Sequence, residues 1–511
     1  MSALLLGIDI GTSVIKSILF DAAGREIAGA ARENVLLHPT PGMVEQNMTA
    51  VWQAAAETAA EAVVSVQGAA DEIVAIGVTG QGDGTWLVDA EGRPVGNAVT
   101  WLDGRVGDLV EAAHTGGLSE QVFARTGTAL NTSNQALQLR WLAEHEPDRL
   151  ARAHAALRAK DWIFLCLTGQ FATDESDASH TYFSVGTRAL DPGLPGLLGI
   201  GQWTRLLPPI RAATENQAPL LADAALRLGL RPGTPVVAGP FDVAAADLGS
   251  GVFQPGDACT ILGTAAIHQM VMDRPADEPK NTGYTMCHAP ADRLVRLLPS
   301  MTGALNLEWF LRQFYALEAA RPGVNIYALA EEEAATVPPG CDGVLYHPYI
   351  NPAGERSPFV RPDARAQFSG MTVEHSRAAL LRSVYEGVLF SAMDCYEYLN
   401  QPIRALTLAG GGARSDLWCQ MFADGLDCPV TVVAGNEQGA LGAAINAGVA
   451  VGLYASYADA IDACVRSNRT YAPNPQVGAV YRSLLPLYRQ TYKALFPVWQ
   501  ARAQWRREHS L

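Results

Sequence analysis

The chain is sparing with charge. Of its 511 residues only 17% are Asp, Glu, Lys or Arg, and acids outnumber bases 52 to 37, for a net charge of -15. Such a surface repels nucleic acid and anionic membranes, so an anionic ligand has to be held by local groups instead of a broad basic field. The eight cysteines, Cys166, Cys259, Cys287, Cys341, Cys395, Cys419, Cys428 and Cys464, include no C-x-x-C pair. That pattern argues against a zinc site or a disulfide framework and for reduced core thiols. No stretch approaches 18 uninterrupted apolar residues, and no basic segment precedes an apolar one at the N-terminus. Membrane insertion and secretion are therefore not expected, and a cytoplasmic enzyme is. Three signatures of phosphate chemistry are also missing: the P-loop, the H-R-D and D-F-G motifs of protein kinases, and the third glycine of a Rossmann fingerprint. Any kinase here is of another design.

What is present starts at Leu4–Asp21, LLLGIDIGTSVIKSILFD, two apolar strand-like runs joined by a turn with an acid, glycines and hydroxyls. A second such segment, CTILGTAAIHQMVMD, occupies Cys259–Asp273. In both, an apolar run reaches Gly-Thr and resumes as another apolar run, so the backbone turns tightly where small residues let a ligand approach. Two phosphate-gripping hairpins are the expectation. Asp9 sits at the first turn, where a carboxylate could hold a metal ion against phosphates.

Strand and helix patterns alternate through the rest. Strands are expected at 4–9, 14–20, 26–36, 73–79, in the TWLVD segment after the GQGDG turn, and at 234–238, 403–409 and 429–433. Helices are expected at 49–66 behind a capping Thr49, and at 137–145, 160–167, 303–318, 325–336, 375–399 and 439–450. The pattern restarts after Gly251, which divides the chain at about residue 250 into 1–250 and 251–511. At this length two cores are expected. Halves that each open on a β-hairpin and continue in α/β units suggest an internal duplication, with ligands bound in a cleft between lobes.

Each motif has a plain competitor. Asp9 could be a turn residue, but it closes a buried apolar run, where an unpaired carboxylate is costly. Asp242, ending AGPFD, could be a helix cap; the C-terminal edge of an α/β sheet is equally where a general base would stand. Gly410, Gly411 and Gly412 could be a simple turn, or could let an adenine ring or phosphate approach the backbone ahead of Ser415.

Five ordered segments carry a resemblance: GIDIGTSVIKSILFD, VTGQGDGTWLVDAEGRPVGNAVTWLDGR, AGPFDVAAADLGSG, ILGTAAIH and LAGGGARSDLWCQMFADGLDCPVTV. Together they resemble the FGGY carbohydrate kinases, which include xylulokinases, glycerol kinases, ribulokinases and erythritol kinases, over roughly residues 4 to 450. The resemblance implies two actin-like, ribonuclease-H-like α/β domains closing over a small sugar or polyol and MgATP. It makes 1–250 the sugar-binding domain and 251–511 the nucleotide-binding domain. It implies Asp242 as catalytic base, with Asp9 and Asp242 near Mg²⁺. Gly11, Thr12 and Ser13 match the first phosphate loop, Gly263 and Thr264 the second, and Gly410, Gly411, Gly412 and Ser415 the adenosine motif. Gln81, Gly82, Asp83, Trp101, Asp103, Arg105 and Asp242 fall on the sugar side. A homodimer stays open; nucleic acid and membrane partners are not expected.

Two departures bear on the acceptor. Xylulokinases carry Met-His-Gly where this chain has Gly82-Asp83-Gly84, and Asn47 replaces an Asp common in the family. The missing side chain at Gly82 is expected to leave room where a Met would close the pocket, and Asp83 to accept hydrogen bonds from two adjacent hydroxyls. The GTSVIKS and VTGQGDGTWL strings look most like erythritol kinases, whereas the general layout is equally like xylulokinases. The acceptor is then a small polyol or pentulose. A chaperone- or actin-type ATPase would share the hairpins without needing the Gln-Gly-Asp-Gly block or Asp242, and a dehydrogenase would need a different glycine pattern.

Overall fold

The computed structural model describes residues 3–180, 182–276, 278 and 280–509. The chain forms two compact units, and one cut does not separate them. The first unit takes Met1–Gln254, Val271–Val295 and Ala434–Arg466; the second takes Pro255–Met270, Arg296–Val433 and Ser467–Leu511. Two segments beyond residue 250 thus fold with the N-terminal part.

In the first unit β1 (Leu4–Ile10) and β2 (Val14–Asp21) form the expected hairpin, and β3 (Glu26–Glu33) extends it. Helix α1 (Met48–Val64) follows, capped by Asn47, whose side chain accepts from the Ala50 amide, and not by Thr49. Asn at that position supplies the cap oxygen an Asp would supply. The chain returns as β4 (Ile73–Gly80), then β5 (Gln217–Pro219) and β6 (Pro235–Ala238), giving a sheet ordered β5-β6-β4-β1-β2-β3. β1, β4 and β6 are parallel, with Asp9 opposite Thr79 and Val236 opposite Ile76. Their uninterrupted apolar runs are what a sheet covered on both faces requires.

The TWLVD segment does not fold back on β4. Asp83 and Gly84 take left-handed backbone angles, φ 57° and 73°, which carry the chain out of the sheet. Trp86–Val88 then pairs with Ala155–Leu157.

Helix α2 (Asp242–Gly249) starts four residues after β6 ends. In the second unit, β7 (Asp257–Leu262) and β8 (Ala266–Met272) form the second hairpin. β7 lies parallel to β9 (Ala405–Ala409), which follows the long helix α3 (Arg377–Tyr398). Helix α4 (Asp416–Leu426) leads to β10 (Val430–Val433), parallel to β9, and β11 (Ser467–Tyr471) closes that edge antiparallel. The run β8-β7-β9-β10-β11 repeats β2-β1-β4-β6-β5 of the first unit: hairpin, two parallel strands, antiparallel edge. The duplication read from the two hairpins extends through five strands of each sheet.

Helix α5 (Gln438–Ala450) belongs to the first unit, where it packs on β1, β4 and α2 at backbone contact. A methyl group on Gly7 would stand 2.2 Å from the Ala440 carbonyl oxygen, and one on Gly77 2.1 Å from that of Ala443. Glycine at these strand positions is what lets a helix lie so close to a sheet. Among the described residues no helix is long and apolar enough to cross a membrane, and all eight cysteines are free thiols, seven of them buried.

Candidate active site

The residues singled out from the sequence gather in two sets, one in each unit. In the first unit the β1–β2 turn, Gly11 to Ser13, is braced by amides. Thr12 Oγ1 donates to Gln81 Oε1 at 3.2 Å and accepts from Trp101 Nε1 at 2.8 Å. Gln81 donates to Gln46 at 2.7 Å, and Gln46 donates to the Thr12 carbonyl at 3.0 Å. Three expected site residues and the unanticipated Gln46 therefore fix one loop. Ser13 stays exposed.

Asp103 and Arg105 are committed to each other. Asp103 accepts from Arg105 Nε at 2.8 Å and from the Val44 amide at 2.6 Å, while Arg105 Nη2 reaches Glu45 at 2.7 Å. With Asp103 fully buried, breaking this pair would strand a charge. It holds the segment that presents Trp101.

Asp9 lies on β1 beside Lys16, which is itself bound to Glu437 at 2.8 Å. Burial, opposed by Lys16 and helped by Glu437, pushes the Asp9 carboxyl up to about 6. Its Oδ1 is buried without a hydrogen-bond partner. On the other side Gly439 of α5 comes so close that a methyl there would sit 2.6 Å from Oδ2. An orphaned, buried carboxylate oxygen is what an incoming cation or proton would satisfy.

Asp242 occupies the first turn of α2. Burial raises its carboxyl well above the ordinary range, the charges of Asp9, Asp177 and Asp83 raise it further, and a hydrogen bond from the Val243 amide works against them. The loop carrying it is held from below. Thr79 Oγ1 at the end of β4 donates to the Pro240 carbonyl at 2.7 Å, and the Phe241 amide donates to Ser176 Oγ at 2.9 Å. Ser176 in turn donates to Asp174 at 2.7 Å. Asp174 belongs to a fully buried cluster in which Lys160 Nζ lies 2.6, 2.8 and 2.9 Å from Asp161, Asp174 and Asp177. Sequence reading missed this cluster. Lys160 sat inside a helical pattern, and the only hint was the density of acids in the run D-E-S-D-A-S-H, 174–180.

The expectation for Gly82 is corrected. The space beside it is filled, because a methyl on Gly82 would stand 2.1 Å from two ring carbons of Phe241. Glycine here admits Phe241 and does not leave a void for substrate. Asp83 is already engaged: Oδ2 accepts from Ser133 Oγ at 2.7 Å and Oδ1 lies 3.2 Å from His180 Nδ1. Burial pushes Asp83 up, but His180, Ser133 and Arg158 outweigh it and hold the carboxyl below its usual value.

In the second unit the β7–β8 turn is capped by a glycine the sequence reading had placed only at the start of a helix. A methyl on Gly303 would stand 2.6 Å from the carbonyl oxygens of Gly263 and Thr264, and the Ala304 amide donates to Gly263 O at 2.8 Å. Thr264 remains exposed. The three glycines after β9 have different duties. Gly410 (φ 81°) and Gly412 pack on Leu262 of the same hairpin, whereas nothing lies within 4 Å of a methyl built on Gly411. Ser415 caps α4, accepting from the Trp418 amide at 3.1 Å.

Asp9, with its orphaned oxygen, and Asp242, close enough to feel its charge, would be the carboxylates to hold a cation; the described residues contain no cluster of three or more His, Cys, Asp or Glu side chains suited to a metal. That fits Mg²⁺, which commonly takes one or two carboxylates and completes its shell with water and phosphate oxygens.

A duplicated hairpin-led α/β unit with buried acids near the ends of its parallel strands is the architecture of the actin-like phosphotransferases. Comparison with known proteins makes the assignment finer. The N-terminal domain of the FGGY family of carbohydrate kinases matches residues 4–249, and the C-terminal domain of the same family matches residues 258–451. The chain belongs to the FGGY carbohydrate kinases and transfers phosphate from ATP to a sugar or polyol. It is 36% identical over 509 residues to an erythritol kinase of Brucella abortus, covering 97% of both chains, and 32% identical over 496 residues to a probable L-xylulose kinase of Pasteurella multocida, covering 96% of this chain and 98% of that one. Among solved structures, a xylulose kinase from Rhodospirillum rubrum superposes with a TM-score of 0.87 at 26% identity, covering 97% of this chain and 100% of the other.

Proposed function

We propose that this kinase acts on a small neutral polyol or pentulose, with a tetritol the leading acceptor, and that Asp242 is its catalytic base. One observation carries the reading: Asp9, Asp83, Asp177 and Asp242 lie close enough for the last to feel the other three, and the neighbouring cations are already taken. Lys160 is bound to three carboxylates, and Arg158 donates to Gln135 at 2.6 Å. Negative charge gathered around Asp242, with the neighbouring cations already bound, opposes an aldonate or other acid and favours a neutral ligand rich in O–H donors. The similarity to an erythritol kinase supports the tetritol, and that to xylulose kinases supports the pentulose as second choice.

In this reading a hydroxyl of the acceptor gives its proton to Asp242 as its oxygen attacks the γ-phosphorus, and the bond from that phosphorus to the β,γ-bridging oxygen breaks, releasing ADP. The raised affinity of Asp242 for protons makes it a stronger base than a surface aspartate. Asp9 and Asp242 would hold Mg²⁺, which when bound neutralises charge on the phosphates. Gly11 to Ser13 and Gly263 with Thr264 would face the phosphates, and Gly411, the open member of its turn, the adenosine. The segment 1–250 then carries the acceptor and 251–511 most of the nucleotide contacts. A cytoplasmic location follows from the unpaired thiols and the need for ATP; sedimentation of the purified chain tests for a homodimer.

The deciding experiment supplies MgATP with tetritols, pentitols, pentuloses and aldonates and follows ADP release. A neutral compound should be the best acceptor. An aldonate with the highest kcat/KM would overturn the reading.

A further inference from the structure

The acceptor side contains a histidine that no motif announced. His180 is buried, at 3% exposure, between Asp83 and the loop that carries Asp242. Its Nδ1 lies 3.2 Å from Asp83 Oδ1, while its Nε2 is buried with no hydrogen-bond partner. The ring meets Phe241 edge-on at 5.0 Å between centroids and leans on Tyr284 at 5.1 Å. Phe241 immediately precedes Asp242, so the ring and the base stand on either side of one residue.

We propose that His180 is a specificity residue: its Nε2 accepts a hydrogen bond from a hydroxyl of the acceptor other than the one that is phosphorylated. This rests on the polyol reading above and sharpens it. An ionised Asp83 can only accept, so the Nδ1 facing it carries a ring proton, and the tautomer with that single proton leaves a lone pair on Nε2. Ser133 on the other oxygen of Asp83, itself next to Asn131, whose amide donates to Tyr284 Oη at 2.8 Å, holds the carboxylate that holds the ring. A buried lone pair without a donor is costly until one arrives, and a polyol hydroxyl is such a donor.

Among the described residues, single unpartnered ring nitrogens also occur at His268, His288, His347 and His375, but those rings bond to Thr260, Val252, Tyr488 and Thr372. His180 alone of the five pairs with a residue of the candidate site and packs on the loop that carries Asp242. Asp83 therefore acts on the acceptor through His180, in place of the direct two-hydroxyl contact that the sequence suggested.

The test is a functional-group cycle on the full chain. The best neutral acceptor and a set of analogues, each lacking one non-reacting hydroxyl, are run with the parent, His180→Leu and His180→Gln. Thermal melting and the KM for ATP serve as checks on folding. The parent should lose about 5- to 150-fold in kcat/KM on one particular deoxy analogue, the range for one buried hydrogen bond. His180→Leu should lose a similar factor on the full acceptor and lose nothing more on that same analogue, with the KM for ATP unchanged. A folded His180→Leu that matches the parent, or one whose loss multiplies with every deoxy analogue alike, overturns the proposal. If the Leu variant does not fold, His180→Gln decides: its discrimination should change at that one hydroxyl, and discrimination identical to the parent at every position overturns the proposal. A parent that phosphorylates no neutral acceptor marks failure of the polyol reading itself, whereas an active parent indifferent to position 180 marks failure of this inference alone.

Discussion

Replacing Gly82 by alanine adds one methyl group, and the structure determines the sign of the result. Gly82 does not need a left-handed backbone, so in open space the change would stabilise the fold by about 0.4–1 kcal/mol through the unfolded chain. Here the new methyl would stand 2.1 Å from the Phe241 ring, against a comfortable carbon–carbon separation of about 3.5–4.0 Å. Phe241 is only 8% exposed and its ring also packs against His180, so it has little room to retreat. Overpacking of this kind costs about 1–3 kcal/mol, which outweighs the chain-entropy gain. Because Asp242 follows Phe241, the shift reaches the base, and a displacement of about 1 Å there lowers turnover by about 10²-fold. Melting temperature and kcat are measured for the parent, Gly82→Ala, Phe241→Leu and the double variant. Trimming the ring should make the alanine nearly harmless, with a coupling of about 0.5–3 kcal/mol between the two positions. A Gly82→Ala protein that melts at or above the parent and keeps its kcat would refute the packing argument.

Other expectations are independent of that contact. Asp242→Asn should keep the fold and bind ATP but lose about 10²-fold or more in kcat, the usual scale for a general base; near-normal turnover places the base elsewhere. Asp9→Asn should raise the Mg²⁺ concentration needed for half-maximal rate, and an unchanged requirement makes Asp9 a turn acid. Its stability should also depend on pH. The folded carboxyl is held at about 6 against 3.8 ordinarily, so the native state binds the extra proton and the parent loses stability as pH rises from about 4 to about 6. At pH 8 without Mg²⁺, Asp9→Asn should therefore unfold at higher denaturant than the parent, by about 1–3 kcal/mol, and the gap should close below pH 4; a gap independent of pH contradicts the burial argument. Gly411→Val, with no atom in its way, should leave melting unchanged and raise the KM for ATP but not for the acceptor. Gly412→Val drives into the Leu262 side chain, 2.4 Å from the new Cβ, and should melt lower; the reverse ranking would exclude Gly411 from the nucleotide site.

Local chemistry made much of this protein readable from its sequence. Apolar runs of strand length with Gly-Thr turns specify the hairpins β1–β2 and β7–β8, because period, turn residues and β-branching all act over a few residues. The parallel strands β4, β6, β9 and β10 were legible for the same reason, as were the acids Asp9 and Asp242 at strand ends. Duties that depend on residues far apart in the chain were not. Gly82 looks like empty space until Phe241, some 160 positions on, is seen to fill it. Asp103 and Arg105 look like ligand groups until each is found answering the other's charge. Lys160 and Asp174 lie in unrelated local patterns, and only the fold brings them within 2.8 Å under the loop that carries Asp242. Segment 434–466 folds with the first unit where Gly7 and Gly77 admit α5 at backbone distance, a fit between surfaces and not a preference of the segment itself. The sequence by itself therefore determined the two hairpins, the parallel strands beside them and the acids Asp9 and Asp242 near the strand ends. Tertiary packing decided which of those side chains are spent on each other and which atoms, like Asp9 Oδ1 and His180 Nε2, stay without a hydrogen-bond partner, because only the folded chain determines what is buried and what it meets there.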